Sequence, residues 1–229
     1  SFKNYIMRFG GMNMSRYFAQ CREPVSSYTH FWGAVASALG TVFLVGRCVR
    51  TGASGVVLAG AALFGLSLVA LYSASSIYHA ALCAAGRLRR LRKLDHAMIY
   101  VLIAGSYTPL CIRFMTPAKL PLFLGALWVL AVLGIVFKLA WLDAPRWIGT
   151  VLYLALGWAI VVDLPAFAAM PAGCLALVAA GGVCYSVGAV MYMLKRPNLS
   201  ERWGFHELFH LCILAGSACH FAAVYFYVA

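Results

Sequence analysis

A chain of 229 residues that is 64% hydrophobic and 10% charged, with mean hydropathy +0.87, reads as an integral membrane protein and excludes an ordinary soluble domain. Its formal net charge of +12 would suggest nucleic acid in a soluble protein. Here the 18 lysines and arginines cluster in short loops, where they orient the chain and touch anionic lipid headgroups, so membrane lipids and no nucleic acid are the expected partners.

Residues 1–22 mix Lys3, Arg8, Arg16 and Arg22 with short apolar pieces and carry no signal-peptide pattern. They are expected to form a cytoplasmic N-terminal segment ahead of a single seven-helix transmembrane domain over 23–229. A helix needs roughly 20 apolar residues to cross ~30 Å of hydrocarbon. Seven stretches qualify: 28–49, 55–83, 95–114, 120–141, 147–168, 172–195 and 205–228. Thr51-Gly52 closes the first, and the basic run from Arg87 to Lys93 separates the second from the third. Thr116-Pro117, the segment Asp143 to Arg146, Pro171, and Lys195 to Arg202 mark the later breaks. The second stretch is longer than a crossing requires, so it tilts or emerges into the loop. Small residues from Ala179 to Gly182 allow close packing against a neighbouring helix of the same chain. The eight cysteines form no C-x-x-C and lie mostly in apolar runs, which argues against a disulfide framework or a cysteine metal site.

With these spans, 14 of the 18 basic residues fall on the side of the N-terminus. They are Lys3, Arg8, Arg16, Arg22, Arg87, Arg89, Arg90, Arg92, Lys93, Lys138, Arg146, Lys195, Arg196 and Arg202. Arg47, Arg50, Arg113 and Lys119 face the other way. The positive-inside bias therefore predicts an all-α bundle with its N-terminus cytoplasmic and its C-terminus outside, in a plasma (inner) membrane. The seventh span contains no lysine, which excludes a retinal Schiff base there.

Ionisable side chains at membrane depth are costly and mark working sites. His79, Asp95, His206 and His210 all fall at the cytoplasmic ends of spans two, three and seven under this topology. His206 and His210 are four residues apart, so on a helix they share a face and can grip one ion. Ser75 lies one turn before His79 on the same face. Three neutral imidazoles leave an open tetrahedral position, the pattern of a catalytic zinc site. Zinc lowers the pKa of water from 15.7 to about 7. A carboxylate such as Asp95 can take the water's proton and return it to a leaving group, while Ser75 hydrogen-bonds the water, the carboxylate or an oxyanion. That chemistry hydrolyses an amide or ester whose tail stays in lipid. As the first residue of a helix, Asp95 has a plainer role available as a cap. His30 and His96 lie on the same side and are read as supporting or structural, and His220 as a structural hydrogen-bonding residue nearer the outer leaflet.

Residues 206–210 also match H-E-x-x-H, the zinc metalloprotease pattern in which Glu207 would be the base and Asp143 or Asp163 a distant third ligand. Asp163 falls near the wrong end of span five for that. Asp95 is preferred as base, with Glu207 an incidental neighbour.

Several segments resemble one family. Glu23-Pro-Val-Ser-Ser-Tyr-Thr-His30 is similar to the opening motif of the hemolysin III family, and Ser75-Ser-Ile-Tyr-His79 to its S-x-x-x-H motif. Leu94-Asp-His-Ala-Met-Ile-Tyr100 with Gly105-Ser-Tyr-Thr-Pro109 resembles its third-span signature, and His206-Glu-Leu-Phe-His210 its terminal H-x-x-x-H. The family groups with progestin and adipoQ receptors, including adiponectin receptors, and more distantly with alkaline ceramidases. The resemblance implies seven helices with a cytoplasmic N-terminus, zinc on His79, His206 and His210, Asp95 near the zinc-bound water, and Ser75 as the serine of the second-span motif. It implies ceramidase-like hydrolysis of an N-acyl bond. The short N-terminal region lacks the long cytoplasmic extension of the eukaryotic receptors, which argues against a hormone-receptor role. Two other readings are open: a non-enzymatic sensor or regulator of lipid or membrane energetic state with a structural zinc, and a pore-forming cytolysin. A polar channel stripe is missing from the spans, which disfavours the last.

Overall fold

The computed structural model describes residues 18, 20–200 and 203–229. Seven helical spans among them are long and apolar enough to cross a membrane. They are α1 Pro24–Arg50, α2 Gly55–Ala80, α3 Ala85–Phe114 and α4 Leu120–Ala140, then a broken fifth span, then α7 Ala172–Leu194 and α8 Phe205–Tyr227. The fifth consists of α5 Arg146–Gly157, a 3-10 turn over Ala159–Asp163, and α6 Leu164–Ala168. Lys3, Arg8, Arg16 and Arg202, counted above for orientation, lie outside the described residues.

Several boundaries differ from expectation, and the first helix, expected from 28, starts at Pro24. The helix expected from 95 starts at Ala85, because the basic run Arg87–Lys93 is helical. Leu, Arg and Lys are good helix formers, and charged residues need no burial to continue a helix into water. The extension is anchored sideways: Arg89 and Arg92 reach Asp143 at 3.0 and 3.2 Å, and Lys93 donates to the carbonyl of Leu139. Asp95 therefore sits about three turns inside α3, buried, where it cannot cap. The second helix ends at Ala80 rather than near 83.

The fifth span is not one helix over 147–168, because it breaks after Gly157 and resumes with Pro165 in the first turn of α6. Backbone groups freed inside hydrocarbon must find other partners. Tyr107 of α3 provides them: its hydroxyl donates to the Gly157 carbonyl at 2.6 Å and accepts from the Ile160 N–H at 2.9 Å.

Small and hydroxylated residues hold the helices together, as expected where lipid tails are as apolar as leucine. A Cβ on Gly65 would lie 2.4 Å from Thr41 Oγ1, and one on Gly105 would lie 2.5 Å from Ser67 Oγ, so α1 with α2 and α2 with α3 pack backbone to side chain. Tyr72 donates to Ser217 Oγ at 2.6 Å, and Tyr185 lies 2.9 Å from the same oxygen, joining α2, α7 and α8. Bonds of this kind in membranes contribute about 0.6 kcal/mol each, so the bundle rests on their number. Exposed Val42, Leu122, Leu133 and Val162 face outward, as lipid-facing positions do.

Candidate metal centre

The end of the bundle that carries the basic run is fastened by three helix termini. The Glu23 N–H donates to the His79 carbonyl at 3.0 Å, tying the entry of α1 to the last turn of α2. One turn further in, Ser27 Oγ donates to the Ser76 carbonyl at 3.1 Å and Ser76 Oγ to the Ser27 carbonyl at 2.9 Å. The start of α8 is fixed by Glu207, whose carboxylate accepts from the Gly204 N–H at 3.0 Å and from Ser26 Oγ at 3.2 Å. These links set His79 on α2 opposite His206 and His210 on the first turns of α8.

The three histidines meet. One ring nitrogen from each of His79, His206 and His210 lies within 4.8 Å of the others, and His79 and His210 are buried. Nitrogens bound at 2.0–2.1 Å to a tetrahedral ion stand about 3.4 Å apart. His79 Nε2 and His206 Nε2 are 3.5 Å apart, so this pair fits such an ion as it stands. Among the described residues, no fourth ligand joins the three at that spacing. His30 of α1 stacks on His210 with ring centroids 3.8 Å apart at 16°, bracing that imidazole.

Asp95 and Ser75 are both buried, line one cavity with His206 and His210, and lie within hydrogen-bonding reach of each other. The cavity, about 160 Å³, extends from the histidines past Ile99, Ile103 and Ile213 to Tyr185 and His220. It lies where α5 packs only sparsely against α3 and α7.

Other residues weighed from the sequence lie elsewhere or are engaged. Both carboxylate oxygens of Glu207 serve the helix start and Ser26. Asp143 pairs with Arg89 and Arg92 in water, and Asp163 with Lys119 at 3.0 Å. His220 contacts the Val178 carbonyl at 3.2 Å, on the far part of the cavity from the three histidines.

Sequence reasoning missed the role of Glu23. Its carboxylate contacts His79 Nδ1 and pairs with Arg22 at 3.3 Å, while Arg22 also covers the Tyr78 ring at 4.3 Å. Burial pushes the Glu23 carboxyl up, but the His79 contact and the Arg22 charge outweigh it and hold the group below its ordinary value. A carboxylate on Nδ1 fixes the proton there and leaves Nε2 free to face the other imidazoles. Glu23→Ala is therefore expected to weaken the affinity of the cluster for a metal ion about 10- to 100-fold, with Glu23→Gln, which keeps an acceptor, in between. Competition with a chromophoric chelator checks this; an unchanged affinity in Glu23→Ala would remove the orienting role. The only sequence signal was the position of Glu23 at the head of the motif ending in His30.

The family model described as "Haemolysin-III related" matches residues 18–221. The chain is 33% identical to "Hemolysin-3" of Bacillus cereus over 209 residues, 90% of this chain and 91% of that protein. It is 31% identical to the "Hemolysin-3 homolog" of Bacillus subtilis (strain 168) over 206 residues, covering 90% and 93%. Similarity extends, at 24% over 236 residues, to the human "Monocyte to macrophage differentiation factor", covering 99% and 94%. With that match over nearly its whole length and seven apolar spans, the chain is a multi-pass membrane protein and belongs to the haemolysin-III-related family.

Proposed function

We propose that this protein is a zinc-dependent lipid hydrolase that cleaves an amide, ceramidase-like, at the cytoplasmic face of the plasma (inner) membrane. The observation that carries the reading is one cavity in which two of the three clustered imidazoles, a buried aspartate and a serine share a wall that continues along apolar side chains. A structural metal site has no need of such a cavity; an acyl chain does.

His79, His206 and His210 would hold the ion, with Glu23 and His30 fixing the rings. When bound, zinc supplies Lewis acidity toward water and an amide carbonyl at neutral pH. Asp95 accepts the proton that water gives up as its oxygen bonds to the carbonyl carbon. It then delivers that proton to the nitrogen as the C–N bond breaks, so that amide and water become carboxylic acid and amine. Ser75, buried on the same cavity wall, would donate its hydroxyl to the Asp95 carboxylate and hold its orientation through the cycle. The apolar walls keep the acyl chain aligned and bulk water out.

Offering purified protein a set of lipid amides and following fatty-acid release by mass spectrometry tests the reading. Release is expected for at least one amide, to stop on chelation and to return with zinc. A zinc-loaded chain that releases nothing would instead leave the metal as a tie between helices in a membrane sensor.

A further inference from the structure

The cavity has a second polar end. Lys138, near the end of α4, is only 5% exposed and lies on the cavity wall. Its ammonium makes no hydrogen bond or ion pair among the described residues. The nearest charges are Arg92 and Asp143, and Asp143 is already held by Arg89 and Arg92. Gly149 makes the space: a Cβ there would sit 3.1 Å from Lys138 Nζ. Arg92 and Arg146 line the same cavity, and Arg146 lies over the Tyr192 ring at 5.0 Å with no carboxylate on it among the described residues. His96 connects the two ends, being within electrostatic reach of Lys138 and Arg92 on one side and of His206 and His79 on the other.

Lysine is almost never buried without a partner, because desolvating an ammonium costs several kcal/mol unless an anion compensates it. Here the carboxylate within electrostatic reach, Asp143, is already held by Arg89 and Arg92, and the ammonium lines a cavity shared with two guanidinium groups. Planar guanidinium groups and a point-charge ammonium together suit a carboxylate or phosphate.

We propose that the cavity binds an amphiphile with an anionic head, whose carboxylate or phosphate sits on Lys138 with Arg92 and Arg146 while its apolar chain runs along the cavity past the histidines. If the hydrolase reading holds, on which this extension rests, the preferred substrates are N-acyl amines whose amine portion carries an acidic group, rather than neutral ceramides.

The test is a binding measurement with probes that contain no cleavable bond: hexadecyl phosphate, palmitate, hexadecanol and inorganic phosphate, by calorimetry in an uncharged detergent. Hexadecyl phosphate and palmitate are expected to bind at least about tenfold more tightly than hexadecanol, the factor that one charged hydrogen bond supplies. Lys138→Gln is expected to abolish that preference and Lys138→Arg to keep most of it, with zinc content as the control for folding. Arg146→Gln, at the exposed rim, gives a smaller loss and serves if Lys138→Gln fails to fold. Tight binding of inorganic phosphate alone would assign the site to a free anion and overturn the amphiphile. Equal affinity for hexadecanol, or a preference that survives both Lys138→Gln and Arg146→Gln, would overturn the site itself. Because nothing is cleaved, a protein that shows this pattern yet hydrolyses no amide would upset the hydrolase reading and leave the headgroup site standing.

Discussion

Alanine at His79 or at His210 is expected to leave the purified protein without stoichiometric zinc, while His220→Ala retains about one ion per chain. The first two residues supply nitrogens to the cluster within 4.8 Å, whereas His220 contacts a carbonyl of α7. Apparent zinc-binding free energies of roughly 10–16 kcal/mol come from four ligands, so one ligand stands for about 3 kcal/mol, or roughly two decades of affinity. Losing it also removes the linkage between metal and folding, about 2.7 kcal/mol when the ion is present at 100 times its dissociation constant. At roughly 2–4 °C per kcal/mol for a chain of this size, the thermal midpoint should fall by about 5–10 °C. Elemental mass spectrometry alongside a thermal scan reads both. If both variants kept one zinc with the parent midpoint, these imidazoles would not be the ligands.

How far the sequence reveals such a site differs between its parts. The spans are legible because the requirement is crude: a run of apolar residues long enough for the bilayer, punctuated by Gly, Pro and charge. His206 and His210 are legible because helical spacing alone puts them on one face. That His79 joins them follows once charge bias places the ends of spans two and seven at one depth, and the structure has the rings 5.0 Å and 4.8 Å apart, centre to centre.

What escaped detection depends on contacts rather than on pattern. Hydropathy measures where lipid begins and says nothing of where a helix begins, so in sequence the exposed basic turns of α3 look like a loop and Asp95 like a helix start. The break in the fifth span depends on Tyr107, fifty residues earlier in the chain, filling the freed backbone positions. Glu23 and Lys138 look like ordinary boundary charges in sequence. One turns out to lie against a histidine and the other inside a cavity, and only tertiary packing tells these apart from charges in water.

Asp95→Ala is expected to reduce lipid-amide turnover by about 10²- to 10⁴-fold while leaving zinc content unchanged, because general acid–base assistance of that size is what the carboxylate would contribute. The separation of the two readouts follows from the geometry. Asp95 lies outside the three-histidine cluster, so the ion does not depend on it, yet it shares the cavity wall with His206, His210 and Ser75. Asp95→Asn sharpens the comparison, since the amide is of similar size but cannot take a proton, and it should be as inactive as alanine. Ser75→Ala should cost less, about tenfold, as befits the loss of one hydrogen bond to a charged group. Metal content and turnover measured on the same preparations decide between roles. Parent-level turnover in Asp95→Asn would exclude a proton carrier, while zinc lost together with activity would make the aspartate a ligand and close the position that hydrolysis needs open.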